Sequence, residues 1–250
     1  MSLVDTHCHI HEADYSLPVD EVIERAHQAA VHQIYCVGTS QESSRLAVEF
    51  ASKHQEVSAI VGVHPHDTKD GYAAIAELAK RPGVIGVGEI GLDYYYEYSD
   101  RKTQLAALEA QIEIALENDL PIAFHVRDAF DDFWPIFHKF KGIRGELHSF
   151  TDSMENLQKA LAEGLYIGVN GISTFTKNEA QQAIFDAIPL DRLLLETDAP
   201  FLTPNPFRGK VNEPAYVRQV AEYHAKRRGI SFEEIANATT QNALRLYTRS

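Results

Sequence analysis

Histidines and carboxylates supply the reactive chemistry of this chain. Near the N-terminus, Val4-Asp5-Thr6-His7-Cys8-His9 is a partly apolar run ending in two histidines one residue apart. Side chains at i and i+2 of a strand share a face. His7 and His9 therefore present two imidazoles side by side, and Cys8 turns the other way. Two neutral imidazoles on one strand make half of a metal site. The ordinary alternative is a pair of surface histidines near a mobile terminus. What separates the two is whether the chain supplies further ligands.

It offers several. His64 and His66 stand in Gly62-Val63-His64-Pro65-His66, and Glu89 in Gly86-Val87-Gly88-Glu89-Ile90-Gly91. His125 lies in His125-Val126-Arg127, His148 in Leu147-His148-Ser149, and Asp198 in Leu195-Glu196-Thr197-Asp198. The elements that must position them alternate along the chain. Short β-rich runs are expected at 3–7, 33–37, 57–62, 84–88, 121–125, 145–148, 166–169 and 192–196. Between them lie amphipathic, helical patterns at 17–32, 40–53, 73–80, 100–118, 128–140, 152–163, 177–187 and 213–228. A final pair of helices is expected at 231–236 and 240–247. Ser40 is a polar cap at a helix start, and Arg81-Pro82-Gly83 is a stop signal.

Eight strands alternating with helices over 250 residues predict a parallel sheet covered by helices, as a single (β/α)8 TIM barrel domain spanning 1–250. A doubly wound open sheet is the runner-up. No Gly-x-Gly-x-x-Gly follows the first strand, which weakens a dinucleotide-binding version. In a barrel, active sites are built at the C-terminal ends of the strands. His7 and His9, His64, Glu89, His125, His148 and Asp198 all fall at such ends. An apolar interior would not tolerate these groups unpaired, and a metal explains why so many converge.

The ligand set suggests two metals. His7, His9 and Asp198 hold one, and His125 and His148 the other. Glu89 has two carboxylate oxygens and can bridge. Two cations about 3.5–4 Å apart clamp an oxygen nucleophile and neutralise phosphoryl charge. Imidazole-rich sites suit Zn, Mn, Fe or Ni, and the carboxylates keep Mg open. Glu196, two residues before Asp198, can steady a ligand. Arg127 can meet a phosphate with two parallel hydrogen bonds, or else pair with Asp128 or Asp131. Arg208 and Lys210 lie in the Pro-rich loop after the last strand, where two bases can bind phosphate. Tyr94-Tyr95-Tyr96 can stack on a nucleobase or pack against the neighbouring helix.

Composition excludes other classes. The chain is 44% hydrophobic and 24% charged, an ordinary globular balance. No apolar run reaches the roughly 20 residues of a membrane span, and no signal peptide is expected. Two cysteines, Cys8 and Cys36, give no disulfide framework and point to a reducing cytoplasm. A net charge of −13, from 36 acids against 23 bases, argues against broad coating of nucleic acid. It leaves a phosphate substrate open, because bound cations locally reverse the field. Gly-x-Ser-x-Gly, Cys-x-x-Cys and P-loop patterns are absent.

Taken in order, Asp5-Thr6-His7-Cys8-His9, Gly62-Val63-His64-Pro65-His66, Gly88-Glu89-Ile90-Gly91-Leu92-Asp93-Tyr94, His125-Val126-Arg127-Asp128-Ala129, Glu196-Thr197-Asp198-Ala199-Pro200-Phe201-Leu202 and Asn212-Glu213-Pro214 resemble the TatD-type metal-dependent deoxyribonucleases, within the amidohydrolase-like barrels. The resemblance runs from about Val4 to Tyr247. It implies a (β/α)8 barrel that hydrolyses DNA phosphodiesters, often 3′→5′ from single strands. It implies metal ligands at His7, His9, Glu89, His125, His148 and Asp198, with His64 near the substrate phosphate. The family's His-Cys-Phe motif reads His148-Ser149-Phe150 here.

The expected function is therefore a monomeric hydrolase that cleaves DNA phosphodiesters by metal-activated water, with Asp198 as proton acceptor and His64 and Arg127 facing the phosphoryl oxygens. One rival is an amidohydrolase-like reaction on a lactone, cyclic amide or small phosphoester. Such dinuclear barrels often bridge their metals with a carboxylated lysine, and the fourth strand has no lysine. The other rival is a metal-bearing, non-catalytic scaffold.

Overall fold

A computed structural model describes residues 2–96 and 98–248. Its eight strands are β1 (Leu3–Cys8), β2 (Val31–Val37), β3 (Val57–Val61), β4 (Val84–Asp93), β5 (Ile122–Arg127), β6 (Gly145–Leu147), β7 (Tyr166–Val169) and β8 (Leu193–Leu195). They follow one another in a single sheet in chain order. The helices are α1 (Val19–Gln28), α2 (Gln41–Ala51), α3 (Ile75–Leu78), α4 (Arg101–Glu117), α5 (Phe130–Phe137), α6 (Met154–Ala162), α7 (Ile172–Phe175), α8 (Glu179–Ala187), α9 (Val217–Arg228) and α10 (Phe232–Tyr247). The alternation is that of a (β/α)8 chain. β1, β6, β7 and β8 are buried along their whole length, as strands covered on both faces must be.

The chain packs as two compact units, Met1–Cys36 with Ser149–Arg245, and Val37–His148 with Leu246–Ser250. In the first unit β1 pairs in parallel with β2, and β7 with β8. The chain beyond β8 joins β1, where Asp198 N–H donates to the His7 carbonyl at 2.9 Å and His9 N–H to the Ala199 carbonyl at 2.7 Å. In the second unit β3, β4, β5 and β6 pair in parallel in that order.

Side-chain alternation aims the site residues. On β5, Phe124 packs edge-to-face on Phe133 of α5 at 5.1 Å between ring centroids. Its neighbour His125 must then face the opposite side of the sheet. Helix starts follow the expected chemistry. Ser40, Asp100, Ser153 and Asn178 each accept a backbone N–H from the first turn of α2, α4, α6 and α8.

Several boundaries differ from the sequence reading. The helix expected at 17–32 ends at Gln28, because Ala30 turns the backbone with a φ of 66° and Val31 enters β2. The helix expected at 73–80 is the single turn of α3, Ile75–Leu78. The two helices expected at 231–236 and 240–247 are one, α10. There the Thr239 hydroxyl donates to the Ile235 carbonyl at 2.9 Å and stays inside the helix. The fourth strand runs to Asp93 instead of ending at Gly88, so Glu89 sits within β4 rather than after it.

Extending β4 past Glu89 depends on Gly91. Gly91 is the register partner of His125 and has a φ of 155°. A Cβ there would lie 1.8 Å from the His125 carbonyl oxygen. Only glycine permits that approach. Gly91→Ala is expected to cost about 2 kcal/mol or more through forced displacement of β5, read as a lower urea midpoint. An unchanged midpoint would contradict the close packing of β4 on β5.

Candidate metal centre

In the first unit the three expected ligands come together. His7 is fully buried and His9 nearly so, and their rings are edge-to-face with centroids 5.0 Å apart. The one-residue spacing thus puts both imidazoles on one side. Cys8, turned away as expected, is buried with its Sγ 3.9 Å from that of Cys36. Asp198 Oδ1 lies 3.3 Å from His9 Nε2. Asp198 has a φ of 59°, a left-handed conformation that a non-glycine residue adopts at a cost.

Asp5 holds that strained turn. Its carboxylate accepts the Thr197 N–H at 2.8 Å and the Thr197 hydroxyl at 2.6 Å, and the His7 N–H at 3.4 Å. One buried carboxylate therefore fixes both the residue before Asp198 and the strand that carries His7. Burial pushes the Asp5 carboxyl above the usual range, against the lowering by Thr197. Asn212 adds a hydrogen bond to the Thr197 carbonyl at 2.8 Å. Glu196 accepts the Ser149 N–H at 2.9 Å and the Asn170 side-chain amide at 3.2 Å. Its carboxylate lies where a Cβ on Gly168 would be, 2.4 Å away. Ser149, the departure from the family's cysteine, keeps its hydroxyl occupied by accepting from the same Asn170 amide at 2.8 Å.

In the second unit Glu89, His64, His125 and His148 come together. Glu89 is 4% exposed, and its Oε1 has three imidazole nitrogens around it. His125 Nδ1 lies at 2.8 Å, His64 Nε2 at 3.7 Å and His148 Nε2 at 3.9 Å. Only His125 is within hydrogen-bonding distance of that oxygen. The Glu89 carboxylate with the imidazoles of His125 and His148 is a donor set that fits a divalent cation. His64, Asp93 and His125 also offer ligand atoms that lie within 4.8 Å of one another.

The histidines differ in electrostatic state. Burial lowers the His64 imidazole well below its usual value, helped by His125. His64 Nδ1 accepts the His66 N–H at 3.2 Å. The ring is thus a neutral imidazole whose proton the hydrogen bonding assigns to Nε2. For His125, burial acts downward, but hydrogen bonds to Asp93 and Glu89 outweigh it and push the ring to about 9.

The three expected substrate-binding cations have definite partners. The Arg127 guanidinium lies over the Tyr95 ring at 3.9 Å and near Tyr96 at 5.2 Å. Arg208 lies over the Phe175 ring at 3.8 Å and donates to the Thr203 carbonyl at 2.8 Å. Lys210 Nζ is 5.1 Å from the Phe207 ring centroid. Tyr95 and Tyr96 are exposed rather than packed under a helix, at 56% and 40%.

Sequence reasoning did not assign Asp93 or His66. Asp93 is buried, with its Oδ2 3.0 Å from His125 Nε2 and 3.1 Å from His66 Nε2. Burial alone would raise its carboxyl, but the hydrogen bond and charge of His125 hold it below the usual range. The signal that could have found it was alternation. Glu89, Gly91 and Asp93 share one face of a strand that runs this far.

A model of the TatD related DNases matches residues 4–248. The uncharacterized metal-dependent hydrolase YabD of Bacillus subtilis (strain 168) is 39% identical over 251 residues, covering 98% of each chain. The 3′-5′ ssDNA/RNA exonuclease TatD of Citrobacter rodentium (strain ICC168) is 36% identical over 241 residues, covering 91% of each. Among solved structures, YJJV, a TatD homologue from Escherichia coli K12, superimposes with a TM-score of 0.90 at 28% identity, over 99% of this chain and 98% of that one. With its eight parallel strands in order, its metal-capable histidines and carboxylates and this match along nearly its whole length, the chain belongs to the TatD related DNase family and is a metal-dependent hydrolase built on a (β/α)8 barrel.

Proposed function

We propose that the chain hydrolyses phosphodiester bonds of DNA, as a 3′→5′ exonuclease on single strands, at a pair of divalent ions. The observation that carries this reading is the convergence of three imidazoles on one buried oxygen of Glu89. Relatives named as 3′-5′ ssDNA/RNA exonucleases support the choice of substrate. In this reading His7, His9 and Asp198 would hold one ion, and Glu89, His125 and His148 the other. Residues 1–250 then act as one domain. Zn, Mn, Mg, Fe or Ni would serve; when bound, the ions neutralise phosphoryl charge and lower the pKa of water.

The protein groups divide the remaining work. Asp198, held by the Asp5–Thr197 contacts, accepts the proton of the attacking water. The attack proceeds in line on phosphorus, opposite the leaving 3′ oxygen of the chain. His64 stays neutral and turns Nε2–H toward a non-bridging oxygen, because Nδ1 is occupied by the His66 N–H. Arg127 offers its guanidinium edge to the phosphate while its face rests on Tyr95. Arg208 and Lys210 supply local positive charge on a chain of net −13. The protein is proposed to work as a monomer in the cytoplasm, and no described helix is long and apolar enough to cross a membrane.

Chelation should stop cleavage of an end-labelled single-stranded oligonucleotide, and manganese or zinc should restore it. Restored hydrolysis of lactones or small phosphoesters, with DNA untouched, would move the reading to an amidohydrolase-like reaction. Binding of the oligonucleotide without cleavage would leave a scaffold.

Asp198→Asn should keep the circular dichroism spectrum and lower the rate by about 100-fold to 10,000-fold, the usual contribution of a general base. A rate equal to that of the unaltered protein would remove Asp198 from this role.

A further inference from the structure

His125 is gripped from both sides. Its Nδ1 lies 2.8 Å from Glu89 Oε1, and its Nε2 lies 3.0 Å from Asp93 Oδ2. Asp93 is itself immobilised. Its Oδ1 accepts the N–H groups of Tyr95 and Tyr96 at 2.9 and 3.1 Å. Its peptide is clamped by Gln104 of α4. That side chain accepts the Asp93 N–H at 2.9 Å and donates to the Asp93 carbonyl at 3.1 Å. Asp93 and Gln104 are each 1% exposed. A carboxylate this firmly fixed has one geometry to offer the imidazole beside it.

We propose that Asp93 is the positioning residue of the centre, fixing the tautomer and ring orientation of His125 so that Nδ1 faces the metal. The proposal rests on the reading of His125 as a metal ligand. An ionised carboxylate only accepts hydrogen bonds, and a neutral imidazole donates from one nitrogen and coordinates through the other. Accepting at Nε2 therefore dedicates the Nδ1 lone pair to coordination. Partners of this kind commonly orient ligating histidines. Asp93 also ties the ligand to the loop of exposed tyrosines, because its other oxygen holds Tyr95 and Tyr96.

Asp93→Asn tests this with little change in shape. The amide oxygen still accepts from Tyr95 and Tyr96, so the turn is retained. The amide nitrogen then meets Nε2–H, donor against donor, and the imidazole must reverse its tautomer or swing away. Zinc affinity, measured by chelator competition, should fall by about 10-fold to 100-fold, with the melting temperature of the metal-free protein little changed. In a His125→Ala background the same substitution should have no further effect on zinc. Zinc binding by Asp93→Asn equal to the unaltered protein, or an undiminished loss in the His125→Ala background, would overturn the proposal. If His125→Ala itself binds zinc normally, the ligand reading falls and the Asp93 role with it. Normal zinc behaviour without nuclease activity would instead sink only the substrate reading. A direct check needs no variant. Long-range 1H–15N spectra of the zinc-loaded protein should show His125 protonated at Nε2 and metal-bound at Nδ1, and the reverse assignment would also overturn the proposal.

Discussion

Everything at this centre depends on keeping the Glu89 carboxylate buried among imidazoles. A carboxylate taken out of water is costly unless it is paired and hydrogen-bonded. Here the pairing comes from His125 at 2.8 Å, with His64 and His148 within 4 Å of the same oxygen. The backbone is arranged around that requirement. β4 continues through Glu89 to Asp93, and glycine at 91 lets the His125 carbonyl approach it. Glu89 N–H donates to the Gly38 carbonyl at 3.0 Å, which anchors the same peptide from the other side. On β5, the aromatic packing of Phe124 on Phe133 fixes which way His125 faces.

The first unit solves a similar problem by different means. Asp198 stands in a left-handed turn, and the turn is held by a fully buried carboxylate two strand positions before His7. Asp5 carries no proposed chemistry. Its contacts with Thr197 and His7 set the geometry in which Asp198 meets His9. In both units a second carboxylate, Asp5 or Asp93, stands behind the proposed ligands and converts strand geometry into side-chain orientation.

The histidines and carboxylates that the structure brings together were legible because their pattern is short-range. His7 and His9 follow from alternation alone, and His125, His148 and Asp198 from the ends of apolar runs. The eight strands in order were legible from the same runs. Supporting residues were harder to see. Asp93 was hidden because Gly88 and Gly91 look like the end of a strand, whereas they are the places where β4 meets its neighbours closely. Asp5 was visible as a residue, but its partner Thr197 lies 192 positions away. Ala30 gives no sequence signal for a left-handed turn, so the helical pattern overruns the true end of α1. The last two helical patterns run together as α10, with the Thr239 hydroxyl bonded to the Ile235 carbonyl one turn back.

The central proposal is that two sets of side chains, one in each unit, each hold a metal ion. Anomalous diffraction from crystals of the metal-loaded protein, collected at the metal's absorption edge, tests it most directly. Two peaks are expected, one within bonding distance of His7, His9 and Asp198 and one within bonding distance of Glu89, His125 and His148. A single peak, or a second peak out of reach of Glu89, His125 and His148, would contradict it.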